Sequence, residues 1–186
     1  MCDGMNTLRS IACLCGIMCF AACGTRADSN ADAGAAVPRA LEFRSPRVEA
    51  TLEAASRLVR TRGFASERDP WRGFLLEQAS DVHSISMRTG SCYVVIGVGS
   101  TALRELELRV FDSDGAEVAR DGEHGPIAAL RFCPAQNGTY FVASRASAGS
   151  GLYAARDFRG PTGLALSLED VLQAISPISS AERDPG

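Results

Sequence analysis

The chain has no lysine; all 19 of its basic residues are arginine. They are scattered along the whole length, which reads as codon bias and not as a binding patch. With a formal net charge of −3 and no concentrated basic face, nucleic acid is excluded as a partner. Histidine occurs only as His83 and His124, and there is no pair of CxxC clusters. A structural zinc site is therefore not expected. There is no G-x-S-x-G elbow, and two histidines offer no legible nucleophile–His–acid triad, so no residue is assigned a catalytic role and the chain reads as a non-enzyme. An apolar run long enough to span a bilayer, about 20 residues, is also lacking: Ile11 to Ala22 has 12.

What is present is enough for one domain of ordinary size. Of 186 residues, 46% are apolar and 22% charged, so a core can be buried. Five of the seven cysteines fall in the first 23 residues. Residues 1–22 read as an export signal: Arg9 precedes the short apolar run, and small residues follow it. Either Met1 or Met5 serves as a start. Phe20 to Gly24, FAACG, resembles the lipobox of bacterial lipoproteins, with Phe20 where Leu, Val or Ile is usual. The resemblance implies cleavage before Cys23 and acylation of its sulfur. It thus implies a lipid anchor in the cell envelope. Gly24 in the following position favours the outer membrane. Residues 23–44, rich in Ala, Asp, Gly and Ser, read as a disordered tether with a reach of about 25 Å.

An amphipathic helix is predicted over residues 45–63. Ser45 is placed to cap it, Pro46 suits its first position and Glu49 its first turn. Val48, Leu52, Ala55 and Val59 form one apolar stripe. Glu53 and Arg57 form an i, i+4 pair, and Gly63 ends the helix. The stripe should pack on the domain that follows, or serve as the docking face of an assembly subunit.

After Pro70 the period changes from 3.6 to 2. Strands are predicted at 71–78, 82–87, 91–99, 105–111, 116–120, 127–133, 139–144 and 151–158. Glu105 to Val110 alternates strictly, as a strand with one wet face does. Asp112-Ser113-Asp114-Gly115 reads as a tight turn, and Asn137-Gly138 as a hairpin. The sum is a mainly β domain over residues 65–160, an antiparallel β-sandwich of jelly-roll or Greek-key type. A short helix is expected at 163–176, started by Ser167 and stopped by Pro177, with a loose tail at 177–186.

Within the sandwich, Gly90-Ser91-Cys92-Tyr93, Leu106-x-Leu108-x-Val110-x-Asp112-x-x-Gly115, Val118-Ala119-x-Asp121, Phe132-Cys133, Gly138-x-Tyr140-x-Val142 and Gly149-Ser150-Gly151-x-Tyr153 stand out. Together they are similar to the pre-peptidase C-terminal domain and to related domains of myxobacterial-type lipoproteins. The resemblance implies an attached module for binding or stabilisation. Glu105 and Glu107 stand where that family has Asp.

The remaining motifs divide between chemistry and architecture. Gly97-Val98-Gly99-Ser100-Thr101-Ala102 matches G-x-G-x-x-A, but too few residues follow for the crossover helix of a dinucleotide site. The glycines read as a strand end and turn. Asp112, Asp114, Asp121 and Glu123 cluster in sequence, and Ca²⁺ is the ion that such oxygen ligands suit, either as a bound ion or in a metal-dependent hydrolase. Turn chemistry accounts for the same residues, and no cofactor is otherwise expected. Tyr93, Tyr140 and Tyr153 fit core positions better than a glycan platform. Cys92 and Cys133 are the pair left after removal of the leader, and an exported chain should join them, fixing one sheet against the other. The partners expected are the membrane, through the lipid, and an envelope protein or a glycan.

Overall fold

Residues 44–122 and 124–180 are described by a computed structural model, with side chains through residue 175. The predicted leader, Cys23 and Glu123 lie outside the described residues. The first helix, α1, is Pro46–Thr61. Pro46 holds the N1 position, where its missing N–H costs nothing. Ser45 differs from expectation: its hydroxyl makes no capping bond. Its backbone serves instead, the carbonyl accepting the Glu49 N–H at 3.0 Å. The other end is a Schellman stop. Gly63 takes φ +89°, its N–H donates to the Arg60 carbonyl, and the Phe64 N–H donates to that of Val59.

Eight strands follow among the described residues: β1 Trp71–Leu75, β2 Ser80–Met87, β3 Ser91–Gly99, β4 Leu103–Phe111, β5 Glu117–Arg120, β6 Ile127–Phe132, β7 Gly138–Gly149 and β8 Gly151–Pro161. One sheet has the order β1-β8-β3-β6 and the other β2-β7-β4-β5. Every pairing is antiparallel. β1 pairs with β8, β2 with β7, β3 with β6 and β4 with β5, so the chain is one long hairpin rolled into two sheets, a jelly roll. Its tip is the predicted Asp112–Gly115 turn, where the Gly115 N–H reaches the Asp112 carbonyl at 3.1 Å.

Three local predictions change. Asn137-Gly138 is not a hairpin: β6 belongs to the first sheet and β7 to the second, so the segment crosses between sheets. Asn137 has another task, its Oδ1 accepting the N–H of Thr89 at 2.8 Å. β7 runs to Gly149, beyond the predicted stop at Ser144, because the small residues Ala146, Ala148 and Gly149 pair with the start of β4. β1 stops at Leu75 because Gln78 takes φ +67° in the turn that follows.

Two apolar layers form. Between the sheets lie Ile85, Val95, Leu106, Leu108, Leu130 and Val142. Outside the first sheet, Val94, Ile96 and Phe158 pack against Val48, Leu52 and Val59 of α1. The predicted apolar stripe is thus consumed inside the domain. A buried side chain of this size stabilises by about 1.5–3 kcal/mol. Glu53 does not reach Arg57 but pairs with Arg60 and, across the layer, with Arg156 at 3.1 Å. The second helix, α2, is Leu168–Ser180. The Asp170 N–H donates to Ser167 Oγ at 3.2 Å, the expected start. α2 continues past Pro177, the predicted stop. Val171 and Ile175 are its buried anchors.

Among the described residues the second sheet is covered on its inner face alone, and its outer face carries a charged ladder. Arg109 and Arg120 each pair with both Glu107 and Glu117. Burial raises the Glu107 carboxyl, but Arg109, Ser147 and Arg120 outweigh it and hold the group below its ordinary value.

Candidate functional site

Of the predicted oxygen ligands, the three described ones, Asp112, Asp114 and Asp121, do not come together. Asp112 Oδ1 accepts the N–H groups of Asp114 at 3.0 Å and Ala116 at 2.9 Å, which is turn chemistry. Asp121 lies at the other end of β5, 6% exposed, its Oδ1 accepting the Leu108 N–H at 2.6 Å. Its Oδ2 has no partner among the described residues, and burial pushes its carboxyl up to about 6. Among the described residues, no three His, Cys, Asp or Glu side chains converge as a metal site would require. His124 is exposed and meets Glu105 at 3.1 Å. Gly97 lies inside β3 and Gly99 ends it, and the next element is the strand β4, not a helix. A Cβ on Gly97 would come within 2.9 Å of Leu106, so this glycine lets the two sheets approach.

The tyrosines are core residues. Tyr93, Tyr140 and Tyr153 are all buried. The Tyr153 hydroxyl donates to Asp81 Oδ2, which also lies 3.2 Å from His83 Nε2. His83 stacks on Trp71 with ring centroids 4.9 Å apart. Burial raises the Asp81 carboxyl, but the bonds from Tyr153 and His83 prevail and hold it below its ordinary value. Tyr153 is shifted up by burial, and further by the carboxylate beside it. Tyr153→Phe should cost about 2 kcal/mol, the usual worth of a hydrogen bond to a charged group. Urea unfolding reads it; unchanged stability would mean that water replaces the hydroxyl without loss.

Cys92 and Cys133 are joined. The bridge does not tie sheet to sheet as expected. Cys92 is in β3, Cys133 follows β6, and these strands are neighbours in one sheet, with Tyr93 facing Phe132 one step along.

A polar groove of about 300 Å³ opens at the side of the sandwich. Its origin is an interruption in a sheet edge. β1 covers β8 as far as Ala155, opposite Trp71. Ala65 then bridges Arg159 with two backbone bonds, of 2.9 and 2.7 Å. Three β8 residues lie between these contacts and five residues, Ser66 to Pro70, span them on the other side, so the outer chain bows away. Asp157 stands in that gap, on the inward-facing parity of Tyr153 and Ala155, and is only 8% exposed. Arg68 Nη2 donates to its Oδ2 at 2.8 Å, and Arg68 Nη1 to the Ser84 carbonyl at 3.2 Å. Arg159 pairs with Glu67 at 3.1 Å, and Ser86 and Thr139 complete the rim. Sequence reasoning missed this site because Arg68 and Asp157 stand 89 positions apart. The one available signal was a carboxylate at an inward position of β8.

No protein-family model matches the sequence, and no curated protein matches it. Solved structures to which the chain is similar include the pre-peptidase C-terminal domain of a collagenase from Bacillus anthracis. It shares 16% identity at a TM-score of 0.39, over 48% of this chain and 87% of that one. A periplasmic inhibitor of g-type lysozyme from Aeromonas hydrophila shares 14% identity at a TM-score of 0.39, over 53% of this chain and 88% of that one.

Proposed function

We propose that the protein is an exported, non-catalytic binding module, held at the cell envelope by lipid on Cys23. The observation that carries the binding role is the groove beside β2, with the nearly buried carboxylate of Asp157 at its base. Such a carboxylate on a rigid strand is a recognition element: it is desolvated in advance and cannot turn away. The leader, the FAACG segment and the tether support display at the envelope, with the outer membrane as the favoured location. An envelope protein is the partner class that fits a module presented in this way.

The anchor is tested by feeding labelled palmitate to cells. Label should enter the wild-type chain and be lost in Cys23→Ser, which should also shift the protein from the membrane to the soluble fraction. A wild-type chain that takes up no label is not lipid-anchored. Reproducible turnover of an ester, glycoside or phosphoester substrate by the purified chain would overturn the non-catalytic assignment.

A further inference from the structure

Arg68 occupies the groove as a ligand would. The acceptors belong to the scaffold. Asp157 is fixed on β8, and the Ser84 carbonyl lies on β2, which among the described residues is an edge strand paired with β7 alone. The donor comes from the irregular stretch between α1 and β1, and its side chain is 44% exposed against 11% for that of Asp157. A nearly buried carboxylate needs a paired cation, whereas an exposed arginine can leave its partner for water. An anionic or neutral occupant would strand Asp157, and Arg159 offers it little because Glu67 already engages that guanidinium. Beside the carboxylate runs the unpaired edge of an eight-residue strand with no proline and no lysine or arginine to guard it. Among the described residues, Arg68 stands over that edge, on the Ser84 carbonyl.

We propose that Arg68 is an intramolecular plug, and that the groove recognises a basic side chain on an extended peptide segment. The peptide's guanidinium takes the place of Arg68 on Asp157 and the Ser84 carbonyl. Its backbone lies along the β2 edge, adding a strand to the second sheet. This rests on reading the groove as the ligand site. Because the plug and the peptide compete, affinity in the wild type is reduced by the fraction of time the site is open.

The test uses the full chain in detergent and fluorescence anisotropy with a labelled Thr-Val-Arg-Val-Thr amide. A counterpart with citrulline in place of arginine removes the charge and keeps the shape. Arg68→Gln should bind the arginine peptide at least tenfold more tightly than wild type and at least tenfold more tightly than the citrulline peptide. Adding Asp157→Asn should abolish that preference. Gln keeps an amide donor for Asp157, so this variant retains a folded groove, which a melting curve verifies; Arg68→Ser is run in parallel. Equal binding of the two peptides by Arg68→Gln, or a preference that survives Asp157→Asn, overturns the proposal. If palmitate labelling succeeds while the preference fails, the peptide assignment falls and the anchored module stands.

Discussion

Replacing Cys92 and Cys133 together by alanine is expected to lower stability by about 4 kcal/mol. The bridge spans 41 residues, and the chain-entropy model gives that value for a closed loop of this length. The loop is the inner half of the long hairpin: β4, β5 and the Asp112–Gly115 turn all lie inside it. In the oxidised protein, the unfolded chain therefore keeps β3 and β6 tethered at the point where they must pair. Alanine is the suitable replacement because Cys92 is fully buried beside Val94 and Phe158, where a serine hydroxyl would add a desolvation cost. For a domain of this size the melting temperature should fall on the order of 15 °C. Cys133 is exposed, so a reductant reaches the bridge in the folded protein, and reduced wild type should approach the double variant. Equal denaturant midpoints for wild type and variant would show that the bridge does not restrain the unfolded chain.

The elements of this fold are legible where burial imposes a period. β4 reads Glu105-Leu106-Glu107-Leu108 because one face of its sheet meets the core and the other meets water. β3 reads Tyr93-Val94-Val95-Ile96 without alternation because helices cover its second face. α1 shows its stripe for the same reason. Pairing is a different matter. The turn Asp112–Gly115 marks the hairpin tip, but nothing local states that β1 must travel to β8, or that Asn137-Gly138 changes sheet where it would ordinarily reverse a strand. The end of β7 is silent because Ala146, Ala148 and Gly149 carry no β signature; their strand conformation comes from the partner β4. The groove was least legible of all. Arg68, Ser84 and Asp157 are ordinary residues until the rolled hairpin brings two sheet edges side by side. Asp112 and Asp121, close in sequence, are parted by the length of β5.

Asp121 gives this domain an unusual dependence on pH, and Asp121→Asn should remove it. Burial raises the folded carboxyl from its ordinary 3.8 to about 6. Between these two values the folded chain holds a proton that the unfolded chain has released. Stability must therefore fall as pH rises through that interval, by about 3 kcal/mol for a shift of about two units. Below pH 4 the penalty is absent, and above about 6 it is complete. Asn keeps an oxygen for the Leu108 N–H, the bond made at 2.6 Å in the native domain, and carries no charge to desolvate. Glu53, Glu107 and Asp81 are held below their ordinary values and contribute the opposite slope, stability that is lost as pH falls through their own range. Glu53 and Asp81 are common to both proteins and cancel in the difference; Glu107 also repels the Asp121 carboxylate, and its part of the shift leaves with that charge. Urea unfolding of wild type and Asp121→Asn at intervals from pH 4 to 8 should show the variant gaining on wild type by about 3 kcal/mol up to pH 6–7 and nothing further above it. Parallel curves across the whole range would mean that Asp121 titrates alike in the folded and unfolded chains. The unpartnered Oδ2 would then have to be solvated despite its burial.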